Sequence, residues 1–220
     1  METAPQDTRT ALLQAALVCF AENGFDGTSL RMIADRAKRP LSLLGHHFGN
    51  KEGLYVEVFK LIFDRGSSGR FLDSEGGQAW APRDKADAIR AIREQIHLMY
   101  QDVVPWVEGG QGDPVRSYGP RLWLREMQSP RPELHPLLRQ FLGPTKAFWQ
   151  KCIKMLRPEL TEPEVVYLGI SVIGIVVSHG HSAGVNRVLW GMAKPLANDF
   201  QASELLVDLC LNGLLGDRSI

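Results

Sequence analysis

The chain has 220 residues, enough for one large domain or two small ones. Hydrophobic residues make up 44% and charged residues 23% of it, so a packed core is expected and a disordered or low-complexity chain is excluded. The 25 Lys and Arg residues equal the 25 Asp and Glu residues. With no net charge, any attraction to nucleic acid must come from a local concentration of positive charge.

The cysteines and the apolar segments argue against several other classes of protein. Cys19, Cys152 and Cys210 lie far apart and form no CxxC or Cys/His ligand spacing, so we predict no disulfide, no metal site and no cofactor. The first residues lack a secretory pattern, which favours a cytoplasmic location. The uncharged run 165–186 contains serines, histidines and glycines, and its strongly apolar part ends at Val177. This is short of the about 20 residues that span a bilayer, so we predict a helix at a subunit interface and no membrane partner.

Four helices are predicted within the first 65 residues or so. The first helix ends at Gly24, and Thr28 is predicted to cap a short second helix. Pro40 begins a short third helix, and Asn50 caps the fourth. The first helix presents an apolar stripe with the spacing of an amphipathic helix, formed by Leu12, Leu13, Ala16, Leu17 and Phe20.

Helical periodicity continues through the rest of the chain. Residues 66–82 are rich in Gly and Ser and are predicted to be a flexible connection. Asp84 is predicted to cap a helix that reaches Tyr100, and prolines and glycines from Pro105 onwards interrupt the chain. Further helices are predicted at about 120–128, 133–156, 162–186 and 203–215, the third opened by a capping box of Thr161 and Glu164.

The fold class is therefore all-α, with an N-terminal module of three to four helices followed by a larger helical domain. The predicted domains are 7–65 for the helix-turn-helix module, 66–82 for the connection and 83–216 for the larger domain. Two short helices joined by a tight turn and flanked by longer helices are typical of a helix-turn-helix DNA-binding module. Between residues 31 and 51 there are five basic residues and one acidic residue, which suits a surface that binds phosphates.

The residues of this module resemble the N-terminal DNA-binding domain of the TetR family of transcriptional regulators. The resemblance extends over about 45 residues in the right order. It is carried by Ala15-Ala16, Phe20, Glu22-x-Gly24-Phe25, Thr28-Ser29-Leu30, Ile33-Ala34, Ala37, His47-Phe48-x-Asn50-Lys51-Glu52 and Leu54. It implies a homodimeric, ligand-responsive repressor that binds a palindromic operator in double-stranded DNA and is released by a small apolar or aromatic effector. Arg125-Glu126-Met127 and Pro130 resemble, faintly, members with a C-terminal domain of the CecR type.

The resemblance assigns DNA-binding roles to particular residues. The capped second helix directs its amides at a phosphate, and side chains of the third helix reach base edges in the major groove. The predicted DNA-binding residues are Thr28, Ser29, Arg31, Lys38, Arg39, Leu41, Ser42, Leu43, His46, His47 and Lys51. Lys38 and Arg39 do not match the family pattern and are included for their positive charge.

The turn and the third helix depart from the family pattern. The family has Ala-Gly-Val-Ser where this chain has Ala37-Lys38-Arg39-Pro40, and Gly45 replaces the tyrosine of the recognition helix. We expect Lys38 to adopt the left-handed conformation of the missing glycine at an energetic cost. The operator preference is therefore expected to be unusual.

Two sets of residues are predicted in the larger domain. The first set, aromatic, apolar and polar groups suited to a small-molecule cavity, is His97, Tyr100, Trp106, Arg121, Trp123, Met127, Phe148 and Trp149. The second set lies on the long helix and the last helix, where small and apolar residues suit a four-helix dimer interface. It comprises Gly169, Gly174, Ser178, Ser182, Leu205 and Leu209. His179 and His181 point to different helix faces and do not suggest a shared metal ion.

Three other interpretations of the sequence stay open. A regulator of the same fold could activate transcription or respond to a protein or redox signal. A helical hydrolase is a remote alternative, because no G-x-S-x-G, HExxH or P-loop motif is present and only His179 and His181 suggest a base. A helical interaction protein would leave the basic cluster at 31–51 unexplained.

Overall fold

The computed structural model describes residues 5–64, 80–108, 112–192, 196 and 198–215, and their side chains except those of 5–7 and 102–108. The regular structure of these residues is entirely helical, which confirms the predicted all-α class. The helices are α1 (Pro5–Gly27), α2 (Leu30–Ala37), α3 (Ser42–Phe48), α4 (Lys51–Asp64), α5 (Lys85–Glu108), α6 (Pro114–Gln128), α7 (His135–Leu156), α8 (Glu162–His181), α9 (Ala183–Trp190) and α10 (Asp199–Leu215), with a 3₁₀ turn at Pro132–Leu134.

Several predicted helix boundaries are confirmed by the hydrogen bonds that make them. At Gly24 the backbone leaves the helical region, with φ 77° and ψ 174°, so the regular part of α1 ends there. The Asn50 side chain accepts from the Gly53 amide at 2.7 Å and so caps α4. Asp84 accepts from the Asp87 amide at 2.8 Å ahead of α5, and the Thr161 amide donates to Glu164 at 2.7 Å in the capping box of α8.

Other predicted boundaries are wrong, for local reasons. Helix α5 continues through Pro105 to Glu108, so the missing amide of this proline does not end the helix. Helix α10 begins four residues earlier than predicted, since Asn198 accepts from the Gln201 amide at 3.1 Å and acts as a cap that periodicity did not reveal. Helix α6 likewise begins at Pro114, where the Asp113 side chain accepts from the Val115 amide at 3.0 Å.

The predicted long helix 162–186 is divided into α8 and α9. The break lies at Ser182, whose φ of −87° and ψ of 2° depart from helical values. The Ser178 hydroxyl donates to the Ile175 carbonyl at 2.7 Å, and the Ser182 hydroxyl donates to the Ser178 carbonyl. Hydroxyls that bond back to the preceding turn bend helices, which accounts for the interruption.

Backbone contacts divide the chain into two compact units. The first unit contains α1 to α4, α6, the 3₁₀ turn and the start of α7 up to Arg139. The second unit contains α5, the rest of α7 and helices α8 to α10. Most of the predicted connection 66–82 lies outside the described residues. The predicted functional domains stay a prediction.

The core of the first unit forms where α1 packs against α2, α4 and α6. Phe20 and Tyr55 are almost fully buried, and their rings meet edge to face with centroids 4.8 Å apart. Trp123 of α6 lies edge to face against Phe63 of α4, at 5.4 Å. Leu122 of α6 is fully buried in the same unit. A fully buried side chain of this size contributes about 1.5–3 kcal/mol, so helix α6 is part of what stabilises this unit.

In the second unit, α5 packs against α8 and α10 over an apolar core. Trp149 and Ile153 of α7 are buried there together with Ile92 and Ile96 of α5. Gly169 of α8 allows close packing, because a Cβ at this position would stand 3.3 Å from the Trp149 Cβ.

Within the described residues one helix, α8, is long and apolar enough to cross a bilayer by length and composition. Only 28% of its most apolar window is buried. Its buried side, which includes Val165, Val172 and Val176, packs with α5 and α10. Core and interface helices pass the same test, so this one helix is weak evidence for a membrane span.

Candidate nucleic-acid interface

Helices α2 and α3 are the two short helices of the predicted helix-turn-helix. Ser29 caps α2, since its side chain accepts from the Met32 amide at 3.2 Å. The first turn of α2 carries no acidic residue. Its unpaired amides and the positive end of the helix dipole therefore suit a phosphate oxygen.

The predicted capping role of Thr28 is wrong. Thr28 is 2% exposed, and its hydroxyl lies 3.0 Å from the Cys19 carbonyl and 2.7 Å from the Gly24 carbonyl of α1. By donating to α1, the Thr28 hydroxyl holds the segment before α2 against the first helix. Ser29, and not Thr28, caps α2. Thr28 therefore positions the second helix from inside the fold.

The turn after α2 has the backbone conformation that the sequence predicted. Lys38 adopts φ 52° and ψ 47°, which makes it the one non-glycine residue with positive φ among the described residues. Its amide donates to the Asp35 carbonyl at 3.2 Å, and the Arg39 amide donates to the Ala34 carbonyl at 3.0 Å. This is a Schellman-type helix ending with lysine in the usual glycine position.

Helix α3 separates its residues cleanly into a buried and an exposed side. Leu44 and Phe48 are buried in the first unit, while Leu43 and His47 are half-buried. The exposed residues are Leu41, which has helical φ and ψ just before α3, and Ser42, Gly45 and His46. These exposed positions are those from which a recognition helix reaches base edges in a major groove.

The predicted cations are arranged around these helices. Arg31, Lys38 and Lys51 lie on α2, on the turn and at the start of α4, and the first two are exposed. The Lys51 ammonium stands 4.4 Å from the centre of the Phe25 ring, a cation–π contact. Arg39 is half-buried, with a long contact of 3.3 Å from its guanidinium to the Lys38 carbonyl.

A polar network beside the helix-turn-helix was not predicted as part of the site. The Tyr55 hydroxyl of α4 donates to Glu126 of α6 at 2.7 Å, and both side chains are buried. Glu126 also accepts from the Arg131 amide at 2.9 Å. The Arg131 guanidinium pairs with Asp26 at 2.6 Å and lies 4.0 Å above the centre of the Phe25 ring.

This network ties α4 and α6 to the segment between α1 and α2. Burial and the hydrogen bond to Glu126 raise the pKa of Tyr55 well above its usual range, so the tyrosine stays a neutral donor. Arg125 reaches the same segment, with its guanidinium 3.4 Å from the Glu22 carbonyl. In the sequence, only the faint family resemblance of Arg125-Glu126-Met127 and Pro130 pointed to this region. That resemblance did not indicate which residue Glu126 contacts.

The residues predicted for effector binding are distributed over both units. Arg121, Trp123 and Met127 belong to the first unit, where Trp123 packs on α4 while Arg121 and Met127 are exposed. His97, Tyr100, Phe148 and Trp149 belong to the second unit. The side chain of Trp106 lies outside the described residues.

His97 is part of a polar link between α5 and α10. Its ring nitrogens lie 2.6 Å from the Ser203 hydroxyl and 2.7 Å from a Glu204 oxygen, and Phe200 stacks on the ring. Arg93 holds the same carboxylate at 2.7 Å and, with His97, lowers the pKa of Glu204 below its usual value despite partial burial. Ser203 is 3% exposed, so its hydroxyl is shielded from solvent.

The aromatic residues predicted for effector binding in the second unit share one environment. Tyr100, Phe148 and Trp149 are buried in its core, and Tyr100 meets His179 edge to face. The Trp149 indole N–H is buried and has no hydrogen-bond partner in the described residues. These three residues are therefore brought into one core.

The residues predicted for a dimer interface have contrasting environments. Leu205 and Leu209 of α10 are 57% and 60% exposed although both are large and apolar. Ser178 is exposed and Ser182 half-buried, and a Cβ on Gly174 would meet no atom within 4 Å. Gly169 instead faces Trp149 of its own chain.

The part of the chain that the structure describes holds no group of three or more His, Cys, Asp or Glu residues suited to a metal ion. The three cysteines are buried. Burial raises the pKa of each thiol, that of Cys152 to about 12.

Comparison with known proteins agrees with this geometry. Residues 12–58 match the family model of bacterial regulatory proteins of the TetR family. The HTH-type transcriptional repressor AcnR of Corynebacterium glutamicum is 35% identical over 54 residues, which are 24% of this chain and 29% of AcnR. This chain thus covers less than a third of the relative's length.

Solved structures extend the likeness in fold to nearly the whole chain. A transcriptional regulator from Pseudomonas aeruginosa PAO1 has a TM-score of 0.65 at 18% identity, with 98% of this chain and 94% of that chain covered. The regulator FadR from Bacillus subtilis, solved with stearoyl-CoA, has a TM-score of 0.56 at 17% identity, with 93% and 98% covered. Residues 12–58 of this chain therefore match the TetR family model, and nearly the whole chain shares the fold of these solved regulators.

Proposed function

We propose that this protein is a transcriptional regulator that binds double-stranded operator DNA as a homodimer and is released by a small apolar or aromatic effector. The observation that carries the proposal is the α2–turn–α3 unit. Its recognition helix presents Leu41, Ser42 and His46 to solvent within the basic segment 31–51. An exposed short helix between phosphate-binding cations is what base reading in a major groove requires.

The apolar surface of the second unit supports the homodimer. Several large apolar side chains of α8 and α10 are more than half exposed: Tyr167, Ile170, Phe200, Leu205 and Leu209. Soluble proteins rarely leave such residues uncovered on neighbouring helices, because their burial is favourable. Two copies that pair through these helices would bury them and place two recognition helices on one DNA duplex.

The effector proposal is carried by the core of the second unit. Tyr100, Phe148 and Trp149 form an apolar environment that includes the unpartnered Trp149 N–H, a donor suited to an acceptor on an effector. FadR, a neighbour in fold, was solved with stearoyl-CoA. Effector binding would favour a state of the dimer whose two recognition helices no longer fit successive major grooves.

Two of the alternatives find less support. A redox signal needs a reactive thiolate, whereas the three cysteines are buried with raised pKa values. A hydrolase needs an accessible nucleophile, and the serine that contacts His97 is buried. A regulator acting in the cytoplasm is consistent with the fold, and activation in place of repression would use the same DNA contacts.

The test is fluorescence anisotropy of the full chain with a duplex from its own upstream region and with a scrambled duplex. We expect selective binding that weakens steeply with salt, because phosphate contacts release counterions. Arg31→Ala, an exposed cation on α2, is expected to weaken binding and lower the salt slope by about 1. Lys146→Ala, an exposed cation on α7, is the matched control. Equal binding of both duplexes across the salt range would contradict the proposal.

A further inference from the structure

The exposed side of the recognition helix contains one large apolar group. Leu41 is 50% exposed, so half of its surface rests on the protein and half faces solvent. The neighbouring exposed positions are Ser42, Gly45 and His46, which offer a hydroxyl, a bare backbone and an imidazole. Single exposed leucines are common on proteins, so the position of Leu41 matters more than its exposure.

Gly45 leaves space beside Leu41. Residues four apart lie on the same helix face, so position 45 is the neighbour of Leu41 in the C-terminal direction. A Cβ on Gly45 would meet no atom within 4 Å. A base edge can therefore approach the open side of Leu41 without a side chain at position 45 in its way.

The surroundings of Leu41 are basic and polar. Lys38 and Arg39 precede it in the turn, and His46 follows it on α3. Phosphate contacts by such cations fix the register of a helix on DNA, whereas base contacts determine the sequence that is read. A leucine offers neither a charge nor a hydrogen-bond donor to a phosphate, so a base contact that Leu41 makes is an apolar one.

The chemistry of the major groove leaves one partner for this group. Most base edges there present hydrogen-bond donors and acceptors, whereas thymine adds an apolar C5-methyl group. We propose that Leu41 packs on a thymine methyl and so specifies thymine at one position of each operator half-site. This inference rests on the proposed DNA-binding function and adds to it the chemical group that is read.

The experiment removes the methyl group without changing the protein. A duplex selected by the full chain from a random DNA pool is resynthesised with deoxyuridine in place of each thymine in turn, and anisotropy gives each Kd. At one thymine per half-site we expect deoxyuridine to weaken wild-type binding about fourfold, the effect of losing one buried methyl contact. In Leu41→Ala the same replacement should change Kd by less than about 1.5-fold.

A modified base and a control variant test the assignment to Leu41 further. At the sensitive position, 5-methylcytosine should bind more tightly than cytosine in wild type and equally in Leu41→Ala. Leu189→Ala is the control, since Leu189 is a similarly exposed leucine on α9, outside the DNA-binding module, and it should keep the full sensitivity.

Thymine positions that are all insensitive, or a sensitivity that Leu41→Ala retains in full, would overturn the inference while leaving the DNA-binding function intact. A pool that yields no enriched sequence would instead contradict the DNA-binding function, and this inference with it.

Discussion

Lys38 shows how one residue can carry both a structural cost and a binding role. It occupies a left-handed conformation that glycine adopts freely, and its exposed ammonium lies in the basic segment. Left-handed backbone costs a residue with a Cβ about 1 kcal/mol or more. The family pattern already pointed to this position, because glycine is usual there.

We predict that Lys38→Gly stabilises the protein and weakens its binding to DNA. The free energy of unfolding should rise by up to about 1 kcal/mol as the strain is removed, while the salt slope of DNA binding falls by about 1. Urea unfolding and anisotropy measure the two effects. Lys38→Ala removes the charge and keeps the strain, so it should lose the same salt slope without the gain in stability. Equal stability of the two variants would contradict the strain at Lys38.

The cysteines allow a second prediction at the residue scale. The raised pKa values of Cys19, Cys152 and Cys210 keep these thiols protonated and shielded at neutral pH. We expect native protein to react with a thiol reagent far more slowly than unfolded protein. Peroxide treatment should leave the affinity for operator DNA unchanged. Rapid labelling in the native state, with loss of DNA binding, would favour the redox alternative.

Neighbouring residues also show a limit of sequence analysis. Thr28 and Ser29 are adjacent hydroxyl residues, and either could cap α2. The choice depends on the Cys19 carbonyl, nine positions earlier, to which Thr28 donates. That contact exists only once α1 and α2 are packed, so local patterns could not decide between the two residues.

At the scale of elements, α6 contributes to the same compact unit as the DNA-binding helices. The connection is the buried bond from Tyr55 to Glu126, whose residues are 71 positions apart. Helical periodicity predicted that α4 and α6 exist. It held no information on their pairing, because two helices far apart in sequence can meet in many ways.

We predict that Glu126→Ala lowers the free energy of unfolding by about 2 kcal/mol, since it leaves the buried Tyr55 hydroxyl without an acceptor. Glu126→Gln keeps an acceptor oxygen and should cost less. In a double-mutant cycle with Tyr55→Phe, we expect a coupling of about 1 kcal/mol, measured by urea unfolding. Additive effects of the two substitutions would contradict the buried bond.

At the scale of the whole molecule, the exposed apolar residues of the second unit agree with the proposed homodimer. We predict that Leu205→Glu lowers the molar mass in solution from that of a dimer to that of a monomer, because a charge would be buried among apolar side chains. Light scattering after size exclusion measures this. Met127→Glu, at a similarly exposed apolar position of the first unit, should stay dimeric. A wild-type protein with the mass of a monomer would contradict the pairing.

The sequence predicted the all-α class and the helix-turn-helix because both depend on local signals, namely periodicity, caps and turn residues. The environment of the predicted effector residues depends on tertiary packing. It was therefore not foreseen that Trp123 packs in the first unit while Trp149 packs in the second. Aromatic residues at helical spacing indicate burial without indicating the core to which they belong.

The most direct test of the central claim is selection of DNA from a random pool by the full chain. A dimer with one recognition helix per copy should enrich an inverted repeat whose half-sites are about one helical turn apart, near 10 base pairs centre to centre. Ser42→Ala, His46→Ala or Leu41→Ala should change the preferred bases within the half-site and leave its spacing unchanged. DNA recognition through α3 would be contradicted if no repeat were enriched, or if none of the three substitutions changed the preferred bases.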